Sequence, residues 1–191
     1  MEPTSLILIV VLVIVLVYFV MIYNQLVHVK QNIAKAWAHL DVLLRHRHDD
    51  VLKLIEICRP HMGHDRATLP GVLQARSQVA EARTQRDIAA LGHAEGRLRA
   101  ALGTLFAVAE AYPAITSDDA FEQLRARIAS MEKGIADRRE LYNESLNVNN
   151  VRIEQFPDSV VAAVCSFKPL QLLKFPHTET SRVNVKELFH A

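Results

Sequence analysis

Residues 6–23 read LILIVVLVIVLVYFVMIY, 18 positions with no charge, no glycine and no proline. As a helix this run is about 27 Å long, close to the ~30 Å hydrocarbon core of a bilayer. Thr4 and Ser5, whose hydroxyls can bond back to the helix, extend it to a full span. Leu6 opens the run, and Tyr18, Phe19 and Tyr23 crowd its other end, where aromatic rings favour a membrane interface. A cleaved leader would want a positive N-terminal region and a small-x-small site. Met1 to Ser5 offers only Glu2 and the terminal amine, and the chain continues MIYNQLVHVK. A lipoprotein would need a cysteine directly after the run, and the first is Cys58. Residues 1–23 therefore read as an uncleaved, single-pass anchor whose partner is the lipid bilayer. Lys30 and Lys35, with Arg45 and Arg47 further on, favour a cytoplasmic body, a periplasmic one being the alternative.

Outward from the anchor, Leu26, Val29, Ile33, Trp37, Leu40 and Leu44 recur every three or four residues, and Val51, Ile55 and Cys58 resume the stripe. No proline or glycine interrupts Asn24 to Arg59, so the anchor should run directly into this amphipathic helix. Trp37 on the stripe is expected in the core, with an exposed binding anchor as the other reading. Pro60 and Gly63 end the helix, and PHMGHDRATLPG makes the first connection. Thr68 with Pro70 starts a second helix, rich in alanine, that is expected to reach Tyr112-Pro113. Ser117, Asp118 and Asp119 supply capping oxygens for a third. Phe121, Leu124, Ile128, Met131, Ile135 and Tyr142 then follow a 3-4 seam to about Asn149-Asn150, with Arg138 taking one seam step. Beyond the Phe156-Pro157 turn, Asp158 or Ser159 should cap a short helix from Val160 to Ser166.

The expected fold is all-α: an N-terminal transmembrane helix continuing into a long antiparallel three- to four-helix bundle over residues 24–167. Residues 168–191 read as an irregular tail, with helix at Lys186 to His190 the exception.

The 191 residues carry 22 Lys+Arg against 21 Asp+Glu, a balance that argues against nucleic acid as a partner. Half of the residues are hydrophobic, which excludes disorder, and two cysteines exclude a disulfide scaffold. Catalytic motifs are wanting. There is no nucleophile elbow, P-loop or dinucleotide fingerprint, and Cys58 and Cys165 lie in apolar stretches that favour burial over reactivity. His61-x-x-His64-Asp65 could hold a cation, but its spacing is that of an ordinary polar turn. Glu187-x-x-His190 would need a second such pair for di-iron chemistry, and none exists. Neither a metal nor another cofactor is expected. Arg45-His46-Arg47-His48 reads as a charged helix face near a partner or lipid head groups. Arg138 and Arg139 beside Tyr142 and Asn143 read as a buried polar network that fixes helix register, an inter-subunit contact being the alternative.

Several segments together resemble one family. Tyr23-Asn24-Gln25-Leu26-Val27 directly after the membrane helix resembles the YNxLV opening of the LemA family. Ala36-Trp37, then Leu40-Asp41-Val42 with Leu44, Arg47, His48 and Asp49, resembles its next block. Glu110-Ala111-Tyr112-Pro113 is similar to its EAYP turn, Tyr142-Asn143 to its third-helix YN, and Phe156-Pro157 to its following FP. The likeness covers roughly residues 5–165 in order. Departures fall at Val51 to Ile55, where the family carries a proline, and at Asn149-Asn150, where a second YN has lost its tyrosine. The resemblance implies a divergent bacterial inner-membrane protein without established enzymatic activity. It also implies candidate partners: similar paralogues in homo- or hetero-oligomers, a membrane protease, or a TPM-domain protein. Some members take part in magnetosome membrane formation. The expected function is a self-associating scaffold, with an adaptor that docks a membrane protease or signalling partner as the alternative.

Overall fold

The structure, a computed structural model, describes residues 3–62 and 68–175. It is all-α, with no strand among the described residues. Among the described residues six helices follow in order: α1 Pro3–Cys58, α2 Thr68–Gln85, α3 Ile88–Ala109, α4 Pro113–Thr116, α5 Asp119–Glu154 and α6 Asp158–Val164. The helix expected at Lys186 to His190 lies outside the described residues, as do His64, Asp65 and Glu187.

Helix α1 holds 56 residues without a break, so the apolar run and the amphipathic stripe belong to one continuous helix. The stretch expected to be one helix from Thr68 to Tyr112 is instead two. Arg86 adopts φ 54°, in the left-handed region that ends helices. Its N–H donates to the Arg83 carbonyl at 3.2 Å and that of Asp87 to the Ala82 carbonyl at 3.1 Å, the two bonds of a Schellman motif. Asp87 at once becomes the N-cap of α3, its carboxylate accepting from the Ala90 N–H at 2.9 Å. The chain thus closes one helix and opens the next within two residues, and α2 packs against α3. Helix α3 ends at Ala109, just before the Tyr112-Pro113 expected to close it, and Pro113 starts the single turn of α4. At the head of α5 the Asp118 carboxylate accepts from the Ala120 N–H at 2.8 Å. Helix α6 begins at Asp158 with no side-chain cap, because its N-cap is Pro157, which carries no side-chain oxygen; the Asp158 carboxylate, expected to cap, accepts from Arg152 Nε at 2.8 Å.

The chain forms two compact units, to which α1 and α5 both contribute. The first comprises residues 1–44 and 132–172. There Leu43 meets Gly134, Trp37 meets Tyr142 and Gln25 meets Arg152, so α1 and α5 run antiparallel. Ile33, Leu40, Leu44, Ile135, Tyr142 and Leu146 are buried along this seam. Arg138, placed on it by the 3-4 count, is exposed; the buried line instead continues through Leu146 to Asn149. Of the described residues, the second unit comprises 45–62, 68–131 and 173–175. Its described core is built by Val51, Leu54, Ile55 and Cys58 of α1, by Val72 and Val79 of α2, by Leu91, Leu98 and Leu105 of α3, and by Ile115, Phe121 and Ile128.

Candidate functional site

Two places concentrate the residues singled out from sequence. In the first unit, the end of the apolar run meets α6 and the segment after it. Phe19 is half-buried while Leu6 and Tyr18 are exposed, and Ile22 and Leu26 pack with Val161 and Ala162. Ile153, Cys165 and Phe167 close around this cluster. Tyr23 sets its ring edge-on to Phe167, centroids 6.2 Å apart, while Asn24 points to the exterior. Farther along α1, Trp37 is half-buried and lies against the buried Tyr142, ring centroids 5.4 Å apart. Burial raises the Tyr142 phenol above its ordinary pKa. Asp41 and Asn143 are half-buried.

Asn149-Asn150, noted only as a departure, carries a contact that sequence reading missed. Asn150 grips the backbone of Leu170 at both ends: its Nδ2 donates to the Leu170 carbonyl and its Oδ1 accepts from the Leu170 N–H, each at 2.8 Å. An asparagine side chain imitates a peptide group, which lets one residue pin an extended segment. Residues 168–175 are accordingly non-helical but held.

The second place is a set of buried charges in the other unit. Arg47, expected on a charged exposed face, is 2% exposed and pairs with Glu95, itself 3% exposed. The reason is positional: Arg47 fills the stripe gap between Leu44 and Val51, so the helix turns it inward. Glu95 likewise stands between Leu91 and Leu98 on the buried face of α3. Asp50 is buried as well and receives Arg127 Nε at 2.8 Å and Lys53 Nζ at 3.5 Å. A shallow hollow beside it is lined by Lys53, Glu56, Ile57, Gln123, Leu124 and Arg127. Asp49 is exposed, Tyr112 half-buried and Pro113 exposed. Cys58 is fully buried and its thiol is pushed up to about 11 by burial, so at neutral pH it is a protonated packing group. Cys165 is half-buried. Among the described residues no three His, Cys, Asp or Glu side chains converge as a metal site.

His48 gives this region a pH dependence. Burial, with Arg76 and Arg83 adding positive charge against the opposing Asp49, lowers its pKa from the ordinary 6.5. The folded state favours neutral imidazole, so this stabilisation is complete above 6.5 and is lost as pH falls through the lowered folded value. His48→Gln should flatten the acid side of a plot of melting temperature against pH. An unchanged slope would show that His48 does not titrate on unfolding.

The model of the LemA family matches residues 36–186. Magnetosome proteins MamQ 1 and MamQ 2 of Paramagnetospirillum magneticum are each 39% identical over 79 residues, covering 41% of this chain and 29% of theirs. Magnetosome protein MamQ of Magnetospirillum gryphiswaldense is 35% identical over 82 residues, 43% of this chain and 30% of its own. The chain thus covers less than a third of the length of these curated relatives.

Proposed function

The chain belongs to the LemA family, and on that footing we propose that it is a non-enzymatic, membrane-anchored scaffold that associates with copies of itself or with similar paralogues at a bacterial inner membrane. The observation that carries this reading is the state of the apolar run. Its best 18-residue window has a mean hydropathy of 3.4, yet only 6% of that window is buried. A core helix of the same composition would be covered by its own protein. Each of these side chains is stabilised by ~1.5–3 kcal/mol on full burial, so the run as a whole calls for lipid around it.

Self-association has separate support on α5. Leu141, Val148 and Val151 are exposed by 47%, 44% and 41% and stand at i, i+7 and i+10, the spacing of a helix-packing seam. The lysines that follow the run favour a cytoplasmic body. Within the charged stretch Arg45-His46-Arg47-His48, Arg47 is an internal group and is not offered to a partner.

Sizing of the full chain in mild detergent, combined with crosslinking, tests the proposal. Self-crosslinked species larger than a monomer are expected, and Leu141→Glu with Val148→Glu should shift them toward monomer. A dispersed monomer would sink the scaffold reading. Crosslinks only to a different protein, such as a membrane protease or a TPM-domain protein, would favour the adaptor.

A further inference from the structure

Helix α6 is short, and its outward face is the reverse of what water selects. Val160 is 54% exposed, Val164 69%, and Phe156, one turn before, 84%. Ala163 completes the face, which carries no charged side chain; the half-exposed Ser159 flanks it. The opposite side, Val161 and Ala162, packs on Ile22 and Leu26. A seven-residue helix that is apolar on both sides is out of place in water.

Its level along α1 says what covers it. From Gly134 at Leu43, through Tyr142 at Trp37, to Arg152 at Gln25, α5 descends α1 in register. The last residue of α5, Glu154, therefore comes level with Tyr23, where the charge-free run ends. Phe156 and α6 follow at the height of Phe19 to Leu26, about 10 Å of helix that straddles the end of the run. The one carboxylate that opens α6, Asp158, is only 14% exposed and held by Arg152, so it presents no bare charge on the outer face.

We propose that Phe156, Val160 and Val164 lie in the headgroup–acyl boundary of the bilayer that the anchor crosses, fixing the depth at which α1 leaves it. This rests on the reading of residues 6–23 as membrane-spanning. Interfacial helices sink their apolar face ~5–10 Å into that boundary. Alone, a helix of about two turns would bind weakly. Tethered to the anchor, α6 meets the surface at high effective concentration and needs little affinity of its own.

Tryptophan depth probes in phosphatidylcholine–phosphatidylglycerol vesicles test the proposal, using the full chain with Trp37→Phe so that the only indole is the probe. Val160→Trp should lose emission to lipids brominated near the headgroup end of the acyl chain, and Val13→Trp to lipids brominated deep in the chain. Val42→Trp, exposed farther along α1, should respond to neither but to aqueous iodide. Quenching of Val13→Trp without quenching of Val160→Trp overturns this proposal and leaves the anchor reading intact. A Val13→Trp probe reached by iodide overturns the anchor reading itself. A Val160→Trp probe shielded from both bromine and iodide overturns the lipid assignment in favour of a second protein copy on α6. Val160→Asp with Val164→Asp should abolish shallow quenching of a Phe156→Trp probe while leaving the far-ultraviolet helix signal unchanged.

Discussion

Arg47→Ala is expected to destabilise the protein by about 3–5 kcal/mol, the range for removing one member of a buried ion pair. Glu95 is left 3% exposed with no cation beside it in the packed face of α3. The reverse deletion, Glu95→Ala, strands a guanidinium that is 2% exposed and should cost a similar amount. Neither loss measures the worth of the pair. Removing both charges while keeping the volume, as in Arg47→Leu with Glu95→Leu, should be neutral or stabilising by ~1–4 kcal/mol, since desolvation of two ions disappears with them. A strong positive coupling between the single changes follows. Among the described residues, Arg47 Nε and Glu95 Oε1 have no hydrogen-bond partner, so the pair is incompletely satisfied and the double replacement gains further. Arg47→Lys would not rescue, because an ammonium on a shorter, differently shaped stem cannot reproduce the fork. Urea unfolding of the solubilised full chain reads all four. If Arg47→Ala costs under ~1 kcal/mol, in the range of surface pairs, the buried-pair account fails.

Those same residues show how far the sequence could be read. Leu44 and Val51 are seven apart on one stripe, and a helix that keeps its period must place the residue between them inward. Arg47 stood in that gap, and its charge, with histidines on either side, argued for the surface. Periodicity decided the outcome because the partner that makes burial tolerable, Glu95, is 48 positions away and faces inward on its own stripe. A polar residue on a helical stripe signals a buried pair only when its mate is found, and no local pattern names the mate. The continuous α1 was legible because its evidence is local: no breaker from Asn24 to Arg59 and one unbroken period.

The break between α2 and α3 was not legible for the opposite reason. The sequence Thr84-Gln85-Arg86-Asp87 has no glycine or proline, and Arg86 pays the strain of a left-handed conformation where glycine is usual. Packing of α2 on α3 supplies what the local sequence lacks. The remaining trace is Asp87 just before the apolar Ile88 and Leu91, an N-cap signal inside what otherwise reads as continuous helix. Arg138 shows a third case: a seam counted forward in strict threes and fours drifts off the buried face, and Leu146 and Asn149 mark where it continues.

Gly92→Ala should release the segment around Leu173–Phe175 from α3 while leaving overall stability nearly unchanged. A methyl group at Gly92 would stand 2.0 Å from the Lys174 carbonyl oxygen and 3.1 Å from its carbon, both backbone atoms that no rotamer change can move. Undocking uncovers Leu173 and Phe175, now 1% and 7% exposed, at ~1.5–3 kcal/mol each. Against this, three freed residues recover ~1–2 kcal/mol apiece in backbone entropy, and alanine adds ~1 kcal/mol of helix propensity to α3. The terms come close to cancelling, so release, rather than distortion of a core helix, is the easier response. Amide exchange at residues 173–175 should then rise toward that of an unprotected chain while the unfolding midpoint barely moves. Gly103→Ala in the same helix is the control: its new methyl group meets nothing within 4 Å, so it should raise stability by ~1 kcal/mol with the segment still docked. Retained protection at 173–175 in Gly92→Ala would show that α3 shifts instead. A lower unfolding midpoint would accompany that shift, since Leu91 and Leu98 on its buried face would lose their packing.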